Sequence, residues 1–300
     1  MPPITETVLN PRDAIYPALL GRTSTPPTLH VRGTLEASDE LAVAIVGSRR
    51  PTPYGVEVAE SLAAELAARG VTIVSGLARG IDTAAHRGAL AGGGRTVAVL
   101  GNGIDIVYPP ENRDLVHDIE RRGAVVSQFP KGIQPLPYNF PARNRTIAGL
   151  ALGVVVVEAS ERSGALITAG LAADLGREVF AVPGRVTSDL SRGPHGLLRD
   201  GAILVRDWAD IVQELPEPWR RAVRVPVVSA VETGRAVEGA EAVLAVLRPD
   251  EPLHIEQLTA LVALTPGRLA SALVALELEG RARQLEGQRW VSVPARSRRG

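Results

Sequence analysis

The 300-residue chain contains no cysteine, so it can form no disulfide, no thiol nucleophile and no cysteine-ligated zinc site. Net charge is also absent, with 33 basic residues against 33 acidic ones. No global field therefore attracts a polyanion, and any anion site must be local. No apolar run approaches the roughly 20 residues that a membrane-spanning helix requires. The first residues, Met1-Pro2-Pro3-Ile4-Thr5-Glu6, show no basic stretch followed by an apolar one, so no secretory signal is read there. A cytoplasmic location, with no membrane partner, is the expectation. Aromatic residues make up only 3% of the chain, which leaves few side chains for stacking on bases. Lysine is nearly missing as well: Lys131 is the one lysine among 33 basic residues.

That lysine stands in Phe129-Pro130-Lys131-Gly132, just before the arginine-paired stretch Pro141-Ala142-Arg143-Asn144-Arg145. A compact ammonium and a planar guanidinium contact phosphate in different ways. The position is either a leftover of arginine-biased usage or a pointer to a polyanion site. The loops around it decide between these.

An apolar content of 45% fits a globular chain with a sizeable core, and the length fits one large domain plus a small one. Short, nearly continuous Val/Ile/Ala/Leu runs predict strands over Leu41–Val46, Thr72–Ser75, Thr96–Leu100, Ala124–Gln128, Val154–Glu158, Val179–Val182 and Ile203–Val205. Helical spacing predicts Val56–Arg69, Asp82–Ala91, Asn112–Arg122, Ala142–Leu150 and Leu166–Leu175 between them. This alternation argues for an α/β fold, a doubly wound, mostly parallel sheet over residues 41–215. Residues 1–40 read as a short extension and 216–235, rich in Pro, Arg and Val, as a linker. From 236 to 294, three helical patterns precede Arg283-Gln284-Leu285, the turn Glu286-Gly287-Gln288 and Arg289–Val293, the order of a winged helix. The tail 295–300 reads as frayed.

In such sheets ligands bind at the carboxyl ends of the strands, near the switch in strand order. Those ends carry Gly47-Ser48-Arg49-Arg50, Gly76 to Asp82 with Arg79 and Gly80, Gly101-Asn102-Gly103, the Lys131 loop, and Glu158 to Ser163-Gly164. Glycines allow close backbone approach, and helix N-termini turn N–H groups toward an anion. Arg79 has an internal alternative, an ion pair with Asp82. Enzyme signatures are lacking. There is no Gly-x-x-x-x-Gly-Lys-Ser/Thr loop, Gly101-x-Gly103 has no third glycine, and Ser163 is not in a Gly-x-Ser-x-Gly elbow. The histidines are scattered, and Asp82 with His86, four apart, reads as a helix-start pair rather than a dyad. No catalytic residue, metal or cofactor is expected.

Five segments occur in order: Gly47-Ser48-Arg49, Ser75 to Asp82, Phe140 to Arg145, Ser163-Gly164-Ala165-Leu166-Ile167-Thr168-Ala169 and Val179-Phe180-Ala181-Val182-Pro183-Gly184. Together they resemble the bacterial DNA-processing protein A family over roughly Tyr16 to Leu215, and that family also carries a winged-helix tail. The resemblance implies an extended Rossmann-like domain that binds and protects single-stranded DNA. It also implies a homodimer, paired through the later half of that domain, that helps load the RecA recombinase on incoming DNA during natural transformation. Many relatives have an N-terminal helical domain, for which the roughly 40 residues before the first strand are too few.

By the resemblance, Arg49 and Lys131 contact DNA. Around them the expected interface comprises Gly47, Ser48, Arg50, Gly76, Arg79, Gly80, Arg143, Asn144, Arg145, Ser163 and Gly164, with Tyr138 and Phe140 as stacking rings. Five neutralised charges would give a single-strand salt slope of about −3.5. The would-be recognition helix, Pro266–Leu278, offers only Arg268 as a base, so the winged helix reads as an interaction or regulatory module. The rival reading is a nucleotide phosphoribohydrolase on the same fold. Its Pro-Gly-Gly-x-Gly-Thr loop is not matched by Glu158 to Gly164. A protein scaffold without DNA binding is the third.

Overall fold

A computed structural model describes residues 6–224 and 239–293, apart from 263, 279 and 286. The chain divides into two units, Met1–Val225 and Pro226–Gly300. In the first, the strands are β1 (Thr7–Leu9), β2 (Leu29–Gly33), β3 (Ala42–Val46), β4 (Thr72–Ser75), β5 (Thr96–Leu100), β6 (Ala124–Ser127), β7 (Gly153–Val156), β8 (Glu178–Ala181) and β9 (Ile203–Leu204). The helices are α1 (Ala18–Gly21), α2 (Pro53–Ala68), α3 (Ile81–Ala91), α4 (Arg113–Arg122), α5 (Asn139–Leu150), α6 (Gly164–Asp174), α7 (Arg192–Arg199), α8 (Trp208–Glu214) and α9 (Trp219–Ala222).

The nine strands form one sheet in the order β1-β2-β6-β5-β4-β3-β7-β8-β9. From β6 to β9 every pairing is parallel, as in Ala44 against Val74 on one side and Val154 on the other. The apolar runs of β3, β4, β5, β6 and β7 are buried throughout because helices cover both faces. One face packs Val43, Ile45 and Ile73 against Leu62 and Leu66 of α2 and Ala85 of α3. The other packs Ala44, Val97 and Val154 against Ile147 of α5 and Ala169 of α6. This is the doubly wound α/β architecture expected from the alternation. From β3 the chain winds outward one way through β4, β5 and β6, then crosses to β7, β8 and β9. The switch in order therefore lies between β3 and β7.

Several local expectations are corrected. Residues before Leu41 are part of the sheet: β1 pairs antiparallel with β2, and β2 antiparallel with β6. Three- and five-residue edge strands among prolines and threonines leave little periodicity to read. Helix α5 starts at Asn139, before Pro141, because a proline in the first turn removes only an N–H that has no helical partner anyway. The expected linker begins too early: Trp219 and Val223, one helical turn apart, pack on the first core, and Arg224 N–H donates to Arg69 O at 2.9 Å. The rest of that linker, 225–235, lies outside the described residues, as does the tail.

Helices α2 and α3 lie close, and Gly88 makes room for it. A Cβ there would overlap the Glu60 carbonyl and sit 2.8 Å from the Glu60 Cα. Backbone cannot swing aside as a flexible side chain can. Gly88→Ala is expected to cost about 1–3 kcal/mol of stability as overpacking, read as a lowered urea midpoint at unchanged slope.

The second unit contains α10 (Ala240–Val246), β10 (Leu253–His254), α11 (Ile255–Leu261), α12 (Pro266–Leu278), β11 (Ala282–Leu285) and β12 (Arg289–Ser292). Leu258, Leu269, Leu273, Leu276 and Trp290 form its core. Three helices with a small antiparallel sheet, ordered β10-β12-β11, make the winged helix that the sequence predicts. The two-residue β10 was too short to read.

Candidate nucleic-acid interface

The loop after β3 is clamped from two sides. Ser48 N–H donates to Glu158 O at 2.6 Å, and Ile81 N–H donates to Ser48 O at 3.1 Å. A Cβ on Gly47 would fall 2.7 Å from Ile81 Cγ1 and 2.8 Å from Glu158 O, so only glycine lets β3, β7 and α3 converge here. Gly80, at φ +79°, serves the same convergence: its Cβ would overlap Ser48 O. Glu158 is buried and fixes the next helix, accepting from Thr52 N at 2.8 Å and Thr52 Oγ1 at 2.6 Å.

Held in this way, Arg49 points outward. Its guanidinium lies 5.1 Å from the Phe140 ring centroid. Tyr108 stands 6.3 Å from the same ring, tilted by 38°. Beside them a cleft of about 510 Å³ opens at the switch between β3 and β7. Gly47, Arg49, Ala78, Tyr108, Phe140, Asn144, Ser163, Gly164, Ile167 and Thr168 line it. Ser163 caps α6, its Oγ accepting from Ala165 N at 3.3 Å. A Cβ on Gly164 would meet nothing within 4 Å, so the N-terminal turn of α6 faces open space.

At the floor of the cleft a buried carboxyl, Asp82, lies near a buried guanidinium, Arg143. Asp82 Oδ2 accepts from Gly76 N at 3.1 Å and Ala78 N at 3.3 Å. Burial raises the Asp82 pKa, and the positive charge of Arg143 opposes that rise. Arg143 is 4% exposed and donates through Nη1 to Gly76 O and, at 2.9 Å, to Val99 O. Burial lowers its pKa to about 10, which still leaves it charged at neutral pH. A Cβ on Gly76 would overlap the Arg143 guanidinium and lie 2.8 Å from Asp82 Oδ2. Gly76 thus makes room for Arg143.

The expected interface residues separate into three groups. Arg49, Arg50, Lys131, Tyr138 and Arg145 are exposed, and Gly47, Ser48, Phe140, Ser163 and Gly164 are accessible from the cleft or the rim. Arg143 and Gly76 are largely buried, though Arg143 still lines the cleft floor: along α5 the arginine turns toward the sheet with Ile147, while Arg145 turns out. Asn144, 8% exposed, holds Gly164 O through Nδ2 at 3.3 Å, so its side chain supports the cleft wall. Arg79 is exposed but paired with Glu111, Nε to Oε1 at 2.9 Å, so the carboxylate it meets is not Asp82.

Lys131 follows β6, three strands from β3 in the sheet order, and is ion-paired with Glu6. At strand spacing that is roughly 14 Å along the rim. Among the described residues, Arg49, Arg50 and Arg145 have no carboxylate at ion-pair distance. His86 does not join Asp82. Its Nδ1 lies 2.7 Å from Thr96 Oγ1, and burial lowers its pKa to about 3. The expected interface left out Tyr108, which reaches the cleft from the loop after β5, and Ile167 and Thr168, which line it from α6 within the Ser163–Ala169 segment. Among the described residues no cluster of three His, Cys, Asp or Glu could hold a metal, and no helix is long and apolar enough to cross a membrane.

Compared with known proteins, residues 7–216 match the family model of DNA recombination-mediator protein A, and residues 236–288 that of the DprA winged helix domain. The protein Smf of Escherichia coli is 48% identical over 210 residues, which are 69% of this chain and 56% of that protein. The chain thus matches little more than half of that relative's length. Among solved structures, DNA processing protein A from Streptococcus pneumoniae superposes with a TM-score of 0.66 at 43% identity, covering 70% of this chain and 74% of the other. DNA processing protein A from Helicobacter pylori, described for its unique single-stranded DNA binding mode, gives 0.63 at 31% identity, covering 70% and 95%.

Proposed function

The chain belongs to the DNA recombination-mediator protein A family, and from that premise we propose that it binds single-stranded DNA along the rim at the carboxyl ends of its strands. The observation that carries this reading is Arg49, an exposed arginine without a carboxylate partner among the described residues, set over Phe140 at the mouth of the switch-point cleft. Its guanidinium takes a phosphate while its plane and the Phe140 ring offer a stacking surface, a combination that suits any base. Tyr138, 72% exposed, extends the stacking surface. The single-stranded DNA binding of the Helicobacter pylori relative supports the same reading.

The protein acts without catalysis in this proposal. The acid at the cleft floor, Asp82, is held by two backbone N–H groups, and His86 does not join it as a base partner. A homodimer in the cytoplasm would protect incoming strands and help load the RecA recombinase on them, in natural transformation and recombination. The winged helix serves as an interaction module.

Fluorescence anisotropy with labelled single- and double-stranded oligonucleotides over a salt series tests the core of this. Four rim cations remain available, Arg49, Arg50, Lys131 and Arg145. Four neutralised charges give a slope of log K against log salt of about −2.8, shallower than six or more contacts would give. Lys131→Ala is expected to weaken binding and to reduce the slope by about 0.7. Equal affinity for single and double strands would overturn the proposal.

A further inference from the structure

The one lysine of the rim is not free: its ammonium is ion-paired with Glu6 Oε2, while Glu6 Oε1 lies 2.7 Å from His30 Nδ1. Glu6 immediately precedes β1, and His30 lies in β2, the two strands added to the edge of the parallel sheet. The Lys131 side chain is 62% exposed and that of Glu6 only 16%. A carboxylate thus reaches the rim from the sheet edge and sits where a phosphate oxygen would be received. The Glu6 pKa is lowered, first by the Lys131 contact and then by His30, so it is an anion at neutral pH.

We propose that Glu6 is an internal stand-in for phosphate on Lys131, so that single-stranded DNA binds this end of the rim by exchanging with a carboxylate. The inference rests on the single-strand reading above. The exchange needs only the lysine side chain to move. The backbone beneath it is pinned, with Gly132 N–H donating to Asp105 Oδ1 at 3.0 Å and Gly103 N–H to Ile133 O at 2.8 Å. Glu6 keeps His30 as a partner when the ammonium swings away, so the carboxylate is not left alone. A flexible four-carbon stem with a point charge suits such a swing better than a planar fork does. That gives a physical reason for a lysine here in a chain whose other rim cations are arginines.

Because the chain has a single lysine, amine chemistry reads this site directly. Acetylation with an N-hydroxysuccinimide ester, followed by peptide mass spectrometry, separates Lys131 from the α-amine. Glu6→Gln is expected to acetylate faster at Lys131 than the unsubstituted protein, and oligothymidylate is expected to protect that amine. In anisotropy at low salt, Glu6→Gln should bind labelled oligothymidylate roughly two- to five-fold more tightly, the range of an exposed ion pair. The double variant Glu6→Gln/Lys131→Ala should bind as Lys131→Ala does, because the carboxylate acts only through the ammonium. If Lys131→Ala weakens binding but Glu6→Gln changes neither affinity nor acetylation, the exchange is wrong while the strand site stands. If Lys131→Ala leaves affinity unchanged, the lysine is off the DNA path and both readings of this position fall. Melting temperatures of the full-length variants show whether the edge strands stay folded.

Discussion

Arg49→Ala is expected to lower single-stranded DNA affinity ten- to hundredfold at low salt, with the melting temperature almost unchanged. A hydrogen bond to a charged group is worth roughly 1.5–3 kcal/mol, which converts to that fold-change. Arg49 adds a planar surface above Phe140, so two interactions leave together. The fold loses little, because the side chain is exposed and packs over that ring without a carboxylate partner among the described residues. Surface substitutions of this kind stay within about 0.5 kcal/mol. Arg49→Lys separates the contributions. The charge persists but the planar fork does not, so affinity should fall part of the way, with the salt slope retained. Anisotropy beside a thermal melt measures both quantities. An Arg49→Ala protein that binds like its parent would remove the residue on which the functional reading depends.

Much of this was legible in the sequence because buried parallel strands advertise themselves. Val43, Ile45, Ile73, Val99 and Val155 sit in short apolar runs that only a sheet covered on both faces can bury. The loops between them carry Gly47, Gly80 and Gly164 at fixed places relative to the strand ends, so the rim could be located before any contact was seen. What could not be read is which way a side chain turns at a given strand end. Arg143 and Arg145 are two residues apart in one helix, and the sequence treats them alike. The structure buries the first against Gly76 and Val99 and exposes the second. Partners distant in sequence were equally hidden: Arg79 meets Glu111, and Lys131 meets Glu6, which just precedes β1. The strands β1 and β2 escaped because three and five residues are too few to show a period.

The inward turn of Arg143 leads to the second large effect, on stability rather than on DNA. Arg143→Ala removes the donor of two buried carbonyls and the positive charge that offsets the burial of Asp82. Leaving a buried acceptor without its donor costs about 1–3 kcal/mol for each carbonyl, enough in sum to unfold a marginal domain. Gly76→Ala attacks the same point from the backbone, because its Cβ would overlap the guanidinium. The two changes should therefore not add. Removing Arg143 vacates the space that the new methyl needs, and the double variant should be more stable than the sum of the singles implies.

Acidity gives an independent check. Burial raises the folded-state pKa of Asp82 above its ordinary value, so its protonated form favours the fold. Its contribution is fully present below the unfolded value and is lost as pH rises through the folded one. Without Arg143 that folded pKa rises further, so the deficit of Arg143→Ala should shrink as pH is lowered toward it. Denaturant midpoints at several pH values measure the trend. A fully stable Arg143→Ala protein that has lost only its DNA affinity would place the guanidinium on the strand after all. A destabilised protein whose folded fraction still binds would confirm that this arginine holds the floor of the cleft while Arg49 works at its mouth.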